Sequence, residues 1–284
     1  MRTLIKLSPL LIPFCVLFLG GMVLAVAQSL GFFAPLEAEG GLFAAYSRLL
    51  EPPFLRSFGF SLYVALVSAL VSVGLGSVLA YGVWKLPASL QKTATLYKVP
   101  LILPHIAVAF MILVFWTKSG VFASLAFHVG LIDSAGEFPS VLYSGNGLGM
   151  ILAYVYKETP FVILLALAML KRLDPRLIQT AVMFGASRPR IFISVVLPHL
   201  KPVLHTTFII LFLYSFGAFD IPFLLGESSP AMVSIEAYNL YFQRDLSNRP
   251  AAMAMLVVMF LFAALFIGIY ARVVSRMEMR ERKL

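Results

Sequence analysis

Charge is scarce in this chain of 284 residues: Asp, Glu, Lys and Arg make up 12% of it, against 61% hydrophobic residues. A soluble domain so composed would have too little polar surface to face water, so the chain is read as residing in a lipid bilayer. Cysteine is nearly absent. Cys15 stands alone inside an apolar run, which excludes an internal disulfide and a cysteine metal cluster. Also missing are a G-x-x-x-x-G-K phosphate loop, metal-ligand spacing and a nucleophile elbow. The chain is therefore expected to be no enzyme, to hydrolyse no ATP itself, and to need no cofactor or metal. A net charge of +9 suggests nucleic acid at first sight. With hardly any extended polar surface, the better reading collects the basic residues on one side of a membrane and leaves nucleic acid out.

What is present is a series of charge-poor windows about 20 residues long, the length that crosses a hydrocarbon core. Six spans are expected, at about Pro9 to Gln28, Phe58 to Trp84, Val99 to Thr117, Gly147 to Leu170, Val203 to Leu225 and Ala251 to Val273. The fold class is thus an all-α polytopic membrane protein, with residues 1–284 in a single transmembrane domain. Arg2 and Lys6 precede the first run, and "AVAQ" at its end imitates a cleavage site. That run exceeds the roughly 7 to 15 residues of a signal-peptide core, which favours an uncut anchor.

Basic residues set the orientation. Arg2 and Lys6 lie before the first span, Lys85, Lys92 and Lys98 after the second, six between Lys171 and Lys201, and five from Arg272 to Lys283. The alternate segments hold only Arg48, Arg56, Lys118, Arg244 and Arg249, together with acids such as Glu37, Glu39, Glu51, Asp133 and Glu137. The positive-inside rule then puts both termini in the cytoplasm. On the outer side, "VFASLAFHVGLI" (121–132) is apolar but too short to cross, and reads as an interfacial or re-entrant helix in which His128 is an interface residue. The stretch from Gly226 to Pro250 reads as an outer loop with a short helix.

Small residues mark a packing face. Ser61, Ala65, Ser68, Ser72, Gly76 and Ala80 recur every three or four residues, which places them on one stripe of the second span. Helices in lipid associate through such stripes because the hydrophobic effect gives them no preference for each other over acyl chains.

The segment "KRLDPRLIQTAVMFGASRPRIFISVVLPHLKP" between the fourth and fifth spans has its own punctuation. Asp174 is a good N-cap, Pro175 suits the first helical position and Gly185 supplies a stop, so 175–184 should be one short helix. Ser187 can cap a second, running to about Val196 before Pro198 breaks it. Apolar residues on both leave two readings open, a plain interfacial loop or a knob for a groove on a soluble partner.

This pattern resembles the cytoplasmic loop of binding-protein-dependent ABC importer permeases. Their motif reads Glu-Ala-Ala, three residues, Gly, about nine residues, then Ile-x-Leu-Pro. "QTAVMFG" supplies Gln179, Thr180, Ala181 and Gly185, followed by Ala186, and "SVVLP" supplies Leu197 and Pro198. Gln179 and Thr180 depart from the Glu and first Ala, which removes a charged contact with the ATPase but leaves an amide oxygen able to accept a hydrogen bond. "YKETPFVILLALAMLKRLDPRLIQTA" and "SFGAFDIPFLLG" extend the likeness to the branch that includes polyamine, iron, thiamine, phosphonate and some sugar importers. The resemblance implies the type I ABC importer permease fold, with a permease core over 57–275 and a cytoplasmic coupling loop over 171–202. It also implies a bacterial inner-membrane location and alternating access. The implied partners are cytoplasmic ATPase subunits, a second permease subunit (a copy or a paralogue) and an extracytoplasmic substrate-binding protein.

Three charges fall where lipid would surround them. Lys157 and Glu158 lie inside the fourth span, where a lone charge costs roughly 2.5 to 3.5 kcal/mol, so they should face protein or water. Pro160 beside them can open the helix locally. A pathway role and a kink-stabilising role both fit. Asp220 is placed near the outer end of the fifth span with Pro222 breaking the helix beside it; it can meet a cationic cargo or tie a bend, while Tyr214, six residues back, is expected on another face. The competing reading is an ion-coupled secondary transporter using Lys157, Glu158 and Asp220, which would bring an inverted repeat that the chain does not display. A membrane-embedded enzyme would need clustered catalytic side chains at one depth, and none is visible.

Overall fold

A computed structural model of the chain describes residues 2–33, 41–87, 89–90 and 94–281. Glu37, Glu39, Lys92 and Lys283, used above for sidedness, lie outside the described residues. Among the described residues, six helical segments are long and apolar enough to cross a membrane: Lys6–Ser29, Pro52–Trp84, His105–His128, Leu148–Leu170, Arg188–Gly217 and Leu246–Arg276. The described residues form helices and loops, with no strand among them.

The helices are α1 (Arg2–Phe14), α2 (Gly20–Ser29), α3 (Ala44–Arg48), α4 (Pro52–Trp84), α5 (Val99–Ile102), α6 (His105–Trp116) and α7 (Val121–His128). After them come α8 (Leu148–Leu170), α9 (Pro175–Met183), α10 (Arg188–Ile191), α11 (Leu197–Gly217), α12 (Asp220–Leu225), α13 (Val233–Tyr238) and α14 (Arg249–Glu281). The chain divides into two compact units, residues 1–59 with 230–284, and residues 60–229.

In the first unit, a wide π-turn at Cys15–Leu19 joins α1 to α2, and α2 packs along α14. Aromatic edges fix other elements to α14: Phe18 of the π-turn meets Phe260 at 6.3 Å between ring centroids, and Phe58 of α4 meets Phe262 at 5.3 Å. Polar ties lie at one end. Ser29 and Tyr46 share a hydroxyl hydrogen bond of 2.7 Å, Arg48 donates to Asn248 at 3.3 Å, and Arg244 pairs with Glu236 at 3.0 Å. The expected short helix in the 226–250 loop is α13.

In the second unit, α8 is the centre: 61% of its most apolar window is buried, the largest share of the six candidate spans. It packs on α5, α6, α11 and α12. The small-residue stripe of α4 faces inward as expected, with Ser61, Ala65, Ser68, Ser72 and Ala80 fully buried. Gly76 shows why the residues must be small. A Cβ there would press on the Val162 side chain of α8 and lie 3.1 Å from the Thr159 carbonyl.

Several boundaries differ from expectation, most of them for a reason that prolines supply. The third span is not one helix from Val99. Pro104 forces Leu103 into extended backbone (φ −68°, ψ 136°), so α5 stops and α6 restarts at His105. The 121–132 segment does not lie apart from the spans: α7 follows a tight turn at Thr117–Gly120 and completes the third candidate span. His128 turns its Nδ1 to the Ser124 carbonyl at 2.7 Å.

The second short helix does not end before Pro198. From Arg188 to Gly217 the backbone stays helical for 30 residues, through a π-turn at Phe192–Val196. The ring of Pro198 would collide with the carbonyl of Ser194 in a regular helix, and Ser194 sits inside the widened turn. The fifth span instead breaks at Ala218, whose extended ψ of 148° ends α11. Pro222 explains the position, because its ring excludes a helical carbonyl four residues back, at Ala218. Pro222 itself lies in the first turn of α12, where a missing N–H costs little.

Close approach at Gly76 gives a direct test. Gly76→Leu overpacks the α4–α8 contact and should cost about 1 to 3 kcal/mol, seen as a lower thermal midpoint of the detergent-solubilised protein. Gly74→Ala, where a Cβ meets nothing within 4 Å, should leave that midpoint within error of the parent.

Candidate functional site

Two structures in the second unit carry the functional residues: a buried polar knot on α8 and the loop between α8 and α11. The knot begins with Lys157, which is 7% exposed. Its Nζ donates to the carbonyls of Pro100 at 2.7 Å and Leu101 at 3.1 Å, and to that of Leu103. These are carbonyls at the end of α5, left without helical partners because Pro104 stops the helix. An ammonium group there meets both needs of a helix C-terminus, hydrogen bonds for orphan acceptors and positive charge at the negative end of the dipole. Three N–H groups meet three carbonyls, so the donor capacity of Lys157 is used in full.

Glu158, 3% exposed, points elsewhere. It accepts from Ser72 of α4 at 3.2 Å and from Ser215 of α11, so a single carboxylate ties three helices. The hydroxyl of Tyr154 reaches the Ser215 carbonyl at 3.5 Å, at the same level. Pro160 is buried, yet α8 runs unbroken from Leu148 to Leu170. Of the two roles open for these charges, the geometry found is the one in which protein groups satisfy them. It stabilises the break at Leu103–Pro104, in the neighbouring span, and not a kink in α8.

Asp220 is exposed at the start of α12, and no hydrogen bond or ion pair to it occurs among the described residues. It therefore does not tie the bend. Tyr214 lies on α11, before the break at Ala218, and Asp220 on α12, after it. Because the helix is broken at Ala218–Phe219, the spacing of a single helix does not relate the two residues. The His105 and Tyr214 rings lie 4.9 Å apart, joining α6 to α11.

In the loop, α9 is built as its residues dictate. The Asp174 carboxylate accepts from the Arg176 N–H at 2.9 Å, with Pro175 in the first turn. At the other end the Ala186 N–H bonds to the Ala181 carbonyl at 3.0 Å and the Gly185 N–H to that of Val182 at 2.9 Å, with Gly185 at φ +74°. This is a Schellman stop, which a glycine completes at no steric cost. Gln179 is exposed, Thr180 returns its hydroxyl to the Arg176 carbonyl at 2.9 Å, and Ala181 and Ala186 are half-buried. Met183 and Phe184 are 87% and 86% exposed, the most open large apolar side chains of this loop. Neither was singled out from sequence, although both stand inside the "QTAVMFG" stretch. Leu197 and Pro198 sit at the start of α11, half-buried and exposed. Nearby, His199 Nε2 lies 3.1 Å from the Met169 carbonyl and lashes the two stems of the loop together.

The family described as binding-protein-dependent transport system inner membrane component matches residues 72–279, most of the chain and all of this geometry. The chain belongs to that family. Among curated relatives of this inner membrane component is the trehalose/maltose transport system permease protein MalF of Thermococcus litoralis, 32% identical over 128 residues, 44% of this chain and 42% of that one. The spermidine/putrescine transport system permease protein PotB of Escherichia coli is 24% identical over 189 residues, 66% and 67% of the two chains. The inner membrane ABC transporter permease protein YdcU of Escherichia coli is 32% identical over 168 residues, 55% and 52%. The matches thus span from 42% to 67% of these relatives' lengths. The fold is that of ABC importer permeases. It superposes on a bacterial ABC transporter involved in import of the acidic polysaccharide alginate with a TM-score of 0.79, at 20% identity, over 95% of this chain and 94% of that one. The MetNI methionine ABC transporter matches at 0.53, with 16% identity, over 80% and 99%.

Substitutions in the knot should separate its two halves. Lys157→Met strips three carbonyls of their donor, each worth about 1 to 3 kcal/mol where buried, and should sharply reduce the yield of monodisperse protein in size-exclusion chromatography. Glu158→Gln keeps a group that both serines can bond, and should leave yield and thermal midpoint near the parent. Glu158→Leu should not.

Proposed function

We propose that this inner membrane component is the permease subunit of an ATP-driven importer, and that a separate ATPase subunit grips it through residues 171–202. The observation that carries the reading is the exposed apolar tip of α9, Val182, Met183 and Phe184, held out on a capped, sharply ended helix between the fourth and fifth spans. An apolar tip of this kind fits a groove on a soluble protein. Gln179 faces outward with an amide able to bond to such a partner, Ala181 keeps the helix slim, and Gly185 with Ala186 makes the stop. Leu197 and Pro198 begin the helix that carries any displacement into the bundle.

The partners are cytoplasmic ATPase subunits, a second permease subunit, copy or paralogue, and an extracytoplasmic binding protein. Sidedness follows from the basic residues, with both termini in the cytoplasm and the core running from 57 to 275. In this reading ATP binding closes the ATPase subunits, the loops follow, and the path opens alternately to the two sides. Lys157, Glu158 and Pro160 form the wall of that path and hold its shape. The secondary-transport reading is the weaker one, because the polar groups of Lys157 and Glu158 are engaged by protein and not offered to an ion. Relatives named for polyamines and for disaccharides leave the cargo to be argued from this chain's own residues.

The test is co-purification. The wild-type chain should bring down an ATPase subunit and import cargo at the expense of ATP in proteoliposomes. Phe184→Glu should abolish both while the permease elutes unchanged. Uptake driven by an ion gradient with this chain alone would overturn the proposal.

A further inference from the structure

The 171–202 loop carries six Lys and Arg residues against a single acid, Asp174. That acid is spent on capping α9, where its carboxylate accepts from the Arg176 N–H at 2.9 Å. The cations are not spent. Lys171, Arg172, Arg176, Arg188 and Arg190 are exposed, and no hydrogen bond or ion pair of their side chains occurs among the described residues. Membrane sidedness accounts for only part of this charge, because the positive-inside rule asks for basic residues close to the ends of spans. Lys171 and Arg172, directly after α8, meet it.

Arg176 belongs to a separate helix. It stands in the first turn of α9, at the positive end of the helix dipole, where a cation weakens the helix that carries it. Helical periodicity puts Arg176 in line with Met183, and Gln179 and Thr180 fall between them. This face is exposed along its length, so it begins with a guanidinium group and ends with an open apolar side chain. Arg188 and Arg190 add charge from α10, which packs against α9 just past the stop at Gly185. A purely apolar groove closing on Met183 and Phe184 would cover these cations and give them no counter-charge. Carboxylates around the groove would bind them in the fork geometry that guanidinium groups favour.

We propose that the ATPase groove receiving this loop is apolar at its floor and acidic at its rim, and that Arg176, Arg188 and Arg190 steer the two proteins together. The proposal rests on the permease reading above. Its test follows association of the full chain, in nanodiscs of phosphatidylcholine, with the purified ATPase subunit that co-purifies with wild type. The association rate should fall at least about tenfold between about 0.01 and 1 M salt, as the Debye length shrinks from about 30 to about 3 Å. Joint reversal, Arg176→Glu with Arg188→Glu, should slow association at least about tenfold at low salt with the elution profile unchanged. The corresponding lysine pair keeps the charge and should stay close to the parent. Met183→Ala should act differently, raising the dissociation rate and leaving the salt dependence as it was. Association indifferent to salt and to charge reversal would overturn the acidic rim. So would slowing that appears only when phosphatidylglycerol is added to the nanodiscs, since the cations would then serve the lipid surface. Failure of any ATPase subunit to associate with wild type would overturn the permease reading itself, which separates the two.

Discussion

A backbone carbonyl or amide in hydrocarbon must find a partner inside the protein, because there is no water to supply one. This chain has 17 prolines, and several interrupt its spans. Each interruption leaves groups bare and has to be repaired. Pro104 is repaired by Lys157, whose ammonium group collects the carbonyls that α5 leaves open. Pro198 is absorbed by a π-turn, and Pro222 by a bend one turn earlier. The architecture of the second unit is set by these repairs as much as by apolar packing, since apolar packing in lipid discriminates weakly between neighbours. Lys157 is thus better understood as a structural part of a broken helix than as a charge waiting for cargo.

Adjacent residues of a helix point about 100° apart, and α8 uses that divergence. Lys157 reaches toward the α5–α6 junction, while Glu158 reaches to α4 and α11. Two neighbouring residues therefore fasten three surrounding elements to one central helix at a single depth. The small-residue stripe of α4 makes this possible. With Gly76 against Val162, the axes come close enough for Ser72 to touch Glu158. A bulkier stripe would move α4 away and leave a carboxylate half-satisfied in the bilayer.

Much of this was legible in sequence, and the exceptions have identifiable physics. Charge-poor windows revealed the six spans, and the order Asp174, Pro175, Gly185 gave α9 to within a residue, because capping is local chemistry. The inward stripe of α4 was legible for the same reason, as a periodicity of one helix. The continuity of 188–217 was not, since a proline normally argues for a break and a π-turn leaves no mark in composition. Nor was the place of the break in the fifth span, because the ring of Pro222 acts on the carbonyl four residues back, at Ala218. The partners of Lys157 are main-chain carbonyls more than fifty residues away, which no side-chain pattern can announce.

These ties bear on how a displaced loop would act on the bundle. The stems of the 171–202 loop are joined at His199 and Met169, and the helices they lead into are joined again at Ser215 and Glu158. Two fastenings along one pair of helices resist sliding, so α8 and α11 respond as one piece. Lys157 adds the α5–α6 junction to it and Ser72 adds α4. In the permease reading proposed above, a pull on α9 would turn this block without reshaping its interior, the rigid-body mode by which packed elements ordinarily switch.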